Sequence, residues 1–461
     1  MESSQMLEVW GAGGPPTHPI QINQGNAKSK VFYSPSSREL QTSKCEINLF
    51  YQEGKWDDYK KITNPYEYIF LSWNRRSSRS VASRQPLSRS YFKMVELWMH
   101  LNLSEEFKQF GSNIHTAHAA EGPGGFIEAC QTLLDRDGLR LESASAITLR
   151  SDVRNVPGWR KATRFLESNP QVKIHYGEDG TGNILLLENQ KAFVATVRAN
   201  HPEGVHFFTA DGGFDFSNDY NAQEDSVFPL LLAESILGLQ VLAPGGICII
   251  KCFDTFEKTT LDLIWLLTRA FREWGLIKPH TSRAGNAERY FVGKGFLGQI
   301  DDILSVLLKF QASAKFSMPI LEETIVCDSW KPTMKKIAQL QEQIEHVEIV
   351  VIRETLDLIQ SSKSSTIRNF VRANVERSIQ WCRNHREEIS LCWLTDLDRN
   401  VNKETEDLIH ILHPNQHANM VKPMPVANIS FEGFRSGVVQ DLPSGSNPFM
   451  RIKKFPMVYH S

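Results

Sequence analysis

The spacing of apolar residues changes character twice along this chain. From about residue 113 to 292, short β-branched runs alternate with longer stretches of helical spacing. Strands are predicted at 115–120, 144–149, 205–210, 247–253, 277–281 and 290–292. Helices are predicted at 126–134, 223–242 and 260–274, the second stopped by Pro244-Gly245-Gly246. Repeats of this length predict a mostly parallel α/β sheet covered on both faces, with ligands outside the carboxyl ends of its strands. After Gly298 the period is helical, over 300–309, 334–360 and 367–393. Ile337, Leu340, Ile344, Val347, Val351, Leu356 and Ile359 give 334–360 an apolar stripe of the kind that packs on a neighbour. Glycine, proline and polar residues dominate both ends, so 1–40 is expected to be a loose arm and 413–461 an irregular tail.

These shifts divide the chain into an N-terminal arm and substrate-side extension (1–85), a doubly wound domain (86–297), a helical C-terminal region (298–412) and the tail. A chain of 461 residues has room for two or three units. The net charge of −2 supplies no global basic field, so a nucleic-acid ligand would need a local positive surface. One segment offers it: Arg75, Arg76, Arg79, Arg84, Arg89 and Lys93 lie among serines with no acidic residue between them. A solvated linker and a phosphate-contacting strip are equal readings of that run. The seven cysteines are dispersed and form no CxxC pair, which fits a reducing compartment and argues against a zinc ribbon or a disulfide framework. No metal site is expected. Apolar runs are too short or too charged to span a bilayer, and no signal peptide is visible, so a soluble intracellular protein with no membrane partner is expected.

The chemistry is carried by Lys93, Asp211, Lys251 and Glu288. Asp211 ends a strand ahead of Gly212-Gly213, where an Asx turn is the plain alternative. Lys251 sits near the end of a strand that should be central, and a lysine there must be paired to offset its desolvation. Glu288 precedes the last strand and Lys93 lies on an amphipathic helix; alone, each would be an ordinary surface charge. Two ammonium groups and two carboxylates converging on one pocket neutralise each other and can take a proton from a hydroxyl. The loop Glu121-Gly122-Pro123-Gly124-Gly125-Phe126 follows the first strand of the domain, but an acid precedes its first glycine. That departs from the dinucleotide fingerprint and favours a cationic, amino-bearing ligand such as S-adenosylmethionine over NAD.

Together, 88–94 (Ser-Arg-Ser-Tyr-Phe-Lys-Met), the Glu121–Phe126 loop, 209–213 (Thr-Ala-Asp-Gly-Gly), 251–254 (Lys-Cys-Phe-Asp) and 278–290 resemble FtsJ-like ribose 2′-O-methyltransferases, most of all the mRNA cap branch. Gly180-Thr181-Gly182-Asn183-Ile184 resembles that branch's glycine-rich segment beside the adenine pocket, and Asn64-Pro65-Tyr66-Glu67 has a counterpart in some members. Ala287 stands where a serine is usual. The helical extension and the Thr-Ala-Asp-Gly-Gly strand end are similar to enzymes of large cytoplasmic DNA viruses. The resemblance implies a Rossmann-like class I methyltransferase that uses S-adenosyl-L-methionine and methylates the 2′-OH of the first transcribed nucleotide of capped mRNA. It implies Lys251 as the base, Lys93 as the group lowering its pKa, and Asp211 and Glu288 as orienters. Glu121–Phe126, Asn183 and Asp211 would hold the cofactor; Arg89, Ser282, Arg283 and Asn286 would contact RNA. Trp73, Tyr91, Phe214, Phe216 and Tyr220 are the aromatic choices for stacking the cap guanine. Other capping or transcription proteins are expected as partners of the C-terminal helices, in the cytoplasm or virion if viral and in the nucleus if cellular. Uncapped structured RNA such as rRNA, or an inactive RNA-binding scaffold, are the alternatives.

Overall fold

A computed structural model describes residues 6–15, 20–24, 34–51, 55–71, 79–150, 158–213, 223–313, 323–326, 329–361 and 363–412. Ahead of the domain come β1 (Leu7–Ala12), β2 (Gln21–Gln24), α1 (Pro35–Tyr51) and α2 (Lys55–Thr63). The first half of the domain contains α3 (Ser90–His100), α4 (Leu103–Phe107), β3 (Asn113–Ala119), α5 (Gly125–Arg136), β4 (Arg140–Ile147), α6 (Thr163–Ser168) and β5 (Val172–His175). The second half contains α7 (Leu187–Asn200), β6 (Val205–Ala210), α8 (Gln223–Val241), β7 (Leu242–Cys252), α9 (Lys258–Thr268), β8 (Phe271–Lys278) and β9 (Arg289–Phe296). Then follow α10 (Asp301–Ser313), β10 (Glu323–Val326), α11 (Trp330–Ser361), α12 (Ser364–Asn384), α13 (Leu391–Thr395) and α14 (Leu397–Leu412).

Eight strands form one sheet in the order β1-β8-β9-β7-β6-β3-β4-β5. The run β7-β6-β3-β4-β5 is parallel, β9 is antiparallel to both β7 and β8, and β1 is antiparallel to β8. The chain order reverses between β3 and β6, and doubly wound sheets bind ligands at the carboxyl ends beside such a switch point. The α/β class is thus realised, with helices on both faces. No helix among the described residues is long and apolar enough to cross a membrane.

Two local expectations fail. The helix expected over 260–274 ends at Thr268, and Phe271 already begins β8. Pairing with β9 on one side and β1 on the other outweighs the local helical spacing. The N-terminal arm is not loose throughout: β1 adds an edge strand to the sheet. Its register sets Trp10 opposite Gly275 and Gly11 opposite Trp274. Each indole lies over the facing glycine, since a Cβ on Gly275 would come within 2.8 Å of the Trp10 ring and one on Gly11 within 2.5 Å of the Trp274 ring.

The helical region clasps the domain. The apolar stripe of α11 packs on α1, α2, α9 and β1, burying Ile337, Leu340, Ile344 and Leu356. Val347, placed on that stripe by spacing, stands 36% exposed at its margin. Beneath the clasp lies a buried polar cluster. Lys44 of α1 meets Asp254 at 2.7 Å and Glu348 of α11 at 3.3 Å. Arg289 of β9 donates to Gln341 Oε1 at 2.7 Å and lies 3.6 Å from Asp254. Removing one member of such a group strands its partners in low dielectric. Lys44→Met is therefore expected to destabilise the protein by about 3–5 kcal/mol. An unchanged urea midpoint would remove this cluster from the support of the fold.

Candidate active site

The sheet brings the four charges together. Asp211 follows β6, Lys251 is the penultimate residue of β7, Glu288 immediately precedes β9, and Lys93 occupies the first turn of α3. Lys93 Nζ is 2.8 Å from Glu288 Oε1, and Lys251 Nζ is 3.2 Å from Asp211 Oδ1. Lys251 also donates to the Asp211 carbonyl at 2.8 Å. All four side chains are 7% exposed or less, so neither pair is a solvent-screened surface contact. Tyr290 joins the pairs: its hydroxyl donates to Asp211 Oδ1 at 2.8 Å and lies 3.4 Å from Glu288 Oε1. The backbone turn below Asp211 leaves no room for a larger residue at Gly212, whose Cβ would lie 2.9 Å from both Ala120 and Leu230 and would run into Glu234.

Burial alone would raise the Glu288 carboxyl, yet Lys93 and then Lys251 hold it well below the ordinary carboxylate range. Burial alone would lower Lys251; Asp211 and Glu288 outweigh it, and the ammonium is stabilised above its ordinary value. This corrects the expectation that Lys93 depresses Lys251. Each lysine has its own carboxylate, so the attraction within the pairs exceeds the repulsion between the cations.

The glycine loop adopts a form that its sequence requires. Gly124 takes a left-handed φ of 102° as the residue capping α5, and a Cβ there would lie 2.8 Å from the Trp159 ring. A Cβ on Gly125 would collide with the Ser88 and Ser90 hydroxyls. The Gly122-Pro123 bond is cis. Glu121 is 5% exposed; its Oε1 accepts from Thr209, which also bonds His118 at 2.7 Å. Its Oε2 lies 3.3 Å from His118 Nδ1, while Oε1 of Glu234, behind Gly212, has no hydrogen-bond partner among the described residues. Burial pushes both carboxyls above their ordinary values. A buried carboxylate in the loop that opens α5 suits a ligand that carries an ammonium and a carboxylate together, as S-adenosylmethionine does. Asn183 lies in a separate loop, where its Oδ1 accepts from the Leu185 amide at 3.0 Å. Phe126 is fully buried, its ring 5.9 Å from that of Tyr290.

Of the expected RNA contacts, Arg89 and Ser282 are buried while Arg283 and Asn286 are partly exposed. Arg89 is 7% exposed and donates to Glu67 Oε1 at 2.9 Å and to the Thr281 carbonyl at 3.1 Å. Ser282 is buried and donates to Asn286 Oδ1 and the Glu288 carbonyl. Asn286 Oδ1 accepts from Lys278 and from the Glu288 amide. These three build the loop that carries Glu288. Arg283 keeps a 20% exposed side chain while forking onto Glu67 at 2.9 and 3.0 Å. Among the aromatic choices Tyr91 is fully buried, and Trp73, Phe214, Phe216 and Tyr220 fall outside the described residues, as do Arg75 and Arg76.

Glu67, Glu96, Lys278 and Tyr290 escaped sequence reasoning as site-building residues. Glu96 accepts from the His280 and Thr281 amides and from both side chains, and so fixes the start of the same loop. Lys278 is buried under four acceptors of the loop, three of them carbonyls, and burial pushes it down to about 8. The available signals were that Asn64–Glu67 matched a family segment and that Lys278 and Tyr290 delimited the 278–290 family block. Burial raises the Glu67 carboxyl, but Arg283 and Arg89 outweigh it and hold the group far below its ordinary range. Because the folded value is the depressed one, this stability is fully present above the unfolded value of about 4.3 and is lost as pH falls. Glu67→Gln is accordingly expected to cost about 3 kcal/mol at pH 7, with the gap to wild type narrowing below about pH 4. Urea midpoints across pH 3–7 measure this; a gap independent of pH would contradict it.

Residues 86–296 match the family described as FtsJ-like methyltransferase. The chain is 33% identical over 173 residues to the cap-specific mRNA (nucleoside-2′-O-)-methyltransferase 1 of Drosophila melanogaster, covering 38% of this chain and 21% of that one. It is 42% identical over 199 residues to the Xenopus laevis protein of the same name, covering 42% and 22%. It thus spans about a fifth of the length of these curated relatives. Among solved structures, a ribosomal RNA methyltransferase of Plasmodium falciparum aligns over 46% of this chain and all of its own, at 18% identity and a TM-score of 0.32. Residues 86–296 thus match an FtsJ-like methyltransferase domain and are related in sequence to the proteins named cap-specific mRNA (nucleoside-2′-O-)-methyltransferase 1.

Proposed function

We propose that this protein methylates the ribose 2′-OH of the first transcribed nucleotide of capped mRNA, with Lys93, Asp211, Lys251 and Glu288 as its catalytic residues. The observation that carries the reading is the two buried ion pairs, Lys93–Glu288 and Lys251–Asp211, bridged by Tyr290 at the carboxyl ends of β6 and β7. A related name borne by the curated relatives supports the capped substrate. The domain limits proposed are 86–297 for the catalytic unit and 298–412 for the helical region that braces it.

S-adenosylmethionine, when bound, supplies an electrophilic methyl group on a positively charged sulfonium. Glu121, with the amides opening α5 beyond Gly124, would hold its amino-acid end, and Asn183 would lie on the adenine side. Lys251 Nζ, once neutral, accepts the proton of the 2′-OH as the ribose oxygen becomes nucleophilic. Lys93, fixed by Glu288 at 2.8 Å, stands beside the developing oxyanion and stabilises it. Asp211 keeps the Lys251 ammonium aimed, and closure of the pocket around buried side chains excludes competing water. Arg283, which like Asn286 is only partly buried, would reach a phosphate by exchanging part of its fork on Glu67.

Methyl transfer to matched capped and uncapped oligonucleotides tests the substrate. Capped RNA is expected to be turned over at least about tenfold faster, the discrimination of a single well-placed recognition group. Equal turnover would move the assignment to structured RNA such as rRNA. Lys251→Ala is expected to reduce transfer by about 10²–10⁴-fold while cofactor affinity changes little. Because Lys251 is held above its ordinary value, the neutral form grows with pH, and single-turnover rates are expected to rise tenfold per pH unit across pH 6–8. A flat profile would exclude Lys251 as the base.

A further inference from the structure

We propose that Tyr290 is a positioning residue for proton transfer, holding Asp211 in place when Lys251 is neutral. The inference rests on the catalytic reading of the four charges given above. The register of β7 and β9 sets Tyr290 directly opposite Lys251, so both side chains rise from the same face of the sheet. The phenol is fully buried and its ring is backed by Phe126, which leaves the hydroxyl one fixed place.

A phenol carries one proton, and here two carboxylate oxygens compete for it. Asp211 Oδ1 lies at 2.8 Å and Glu288 Oε1 at 3.4 Å, so the proton is given to Asp211. Glu288 has a charged donor of its own in Lys93, at 2.8 Å. Among the described residues, Asp211 Oδ1 has only Lys251, at the longer distance of 3.2 Å, besides this hydroxyl. The hydroxyl thus goes to the carboxylate whose charged partner must give up its proton for the reaction. When Lys251 becomes a neutral amine, Asp211 would otherwise be a buried carboxylate with its compensating cation gone. The Tyr290 hydrogen bond lowers the cost of that state and keeps the carboxylate oriented until Lys251 is protonated again by the ribose hydroxyl. Burial and the two flanking carboxylates push the phenol far above its ordinary value, so it stays a donor through the cycle and gives no proton away.

Tyr290→Phe in the full chain removes only the hydroxyl and keeps the ring on Phe126. Without this donor Asp211 depends more on the Lys251 ammonium and resists its deprotonation. The acidic limb of the rate profile for capped RNA is therefore expected to move to higher pH. At fixed neutral pH, kcat should fall by about 10- to 100-fold, the range of one hydrogen bond to a charged group. Affinity for S-adenosylhomocysteine, measured by calorimetry, should stay within about twofold of wild type, which separates positioning from a general loss of structure. A Tyr290→Phe protein with wild-type kcat and an unmoved acidic limb overturns the proposal. So does one whose kcat loss is matched by lost cofactor affinity with the limb in place. Lys251→Ala measured in parallel separates this failure from that of the underlying reading: an active Lys251→Ala enzyme sinks the assignment of the base itself, whatever Tyr290→Phe does.

Discussion

Pairing of buried opposite charges is the constraint on which the rest of this structure depends. Each ammonium or carboxylate taken out of water costs several kcal/mol, and that cost is offset only when the partner sits within hydrogen-bond distance. Lys93 and Glu288 meet across α3 and the β9 entry, and Lys251 and Asp211 across β7 and β6. Four elements distant in sequence must therefore be held together to within a fraction of an ångström. The sheet holds three of them, through the parallel register of β6 with β7 and the antiparallel register of β7 with β9. The helix α3 lies outside the sheet and needs other ties.

Those ties come from a second shell of buried carboxylates. Glu96, on α3 itself, grips the amides of His280 and Thr281, so the helix bearing Lys93 is bonded directly to the loop bearing Glu288. Glu67 gathers Arg89 and Arg283, fixing the start of α3 to the same loop from the opposite side. Farther out, Lys44, Asp254, Glu348, Gln341 and Arg289 join α1 and α11 to the ends of β7 and β9. The N-terminal and C-terminal additions thus brace the strand ends at which the proposed chemistry occurs. Their contribution is rigidity, delivered through polar groups that only a dry interior makes strong.

The alternation of strands and helices was legible because each element repeats its own period over many residues, as in α8, expected at 223–242 and found at Gln223–Val241. The four charges could be picked out as candidates because each has a local marker: a glycine pair for Asp211, a strand end for Lys251, the block before β9 for Glu288 and the 88–94 string for Lys93. Features that depend on partners far along the chain were not. Nothing near Leu7–Ala12 signals that it pairs with Phe271–Lys278, although the Trp-Gly dipeptides at 10–11 and 274–275 record the fit once the register is known. Arg89, Ser282 and Asn286 read as ligand contacts because they are polar residues in a family block. Their bonds turn inward because the loop between β8 and β9 has few backbone partners of its own and takes them from side chains.

The same pairing sets a difficulty that the site must overcome. A cluster with two cations and two anions is close to neutral, and it holds Lys251 protonated more firmly than water does. Such a cluster is stable but is not yet a base. Its balance changes when a further positive charge enters the crevice near Asp211, because like charge disfavours the ammonium and competes for the same carboxylate. A sulfonium ligand carries that charge; a neutral thioether, left after the methyl group has gone, does not. In the proposed mechanism Lys251 would thus be less basic while the sulfonium is bound and more basic once the methyl group has gone. The pairing that stabilises the charge cluster would then also set the direction in which the proton moves.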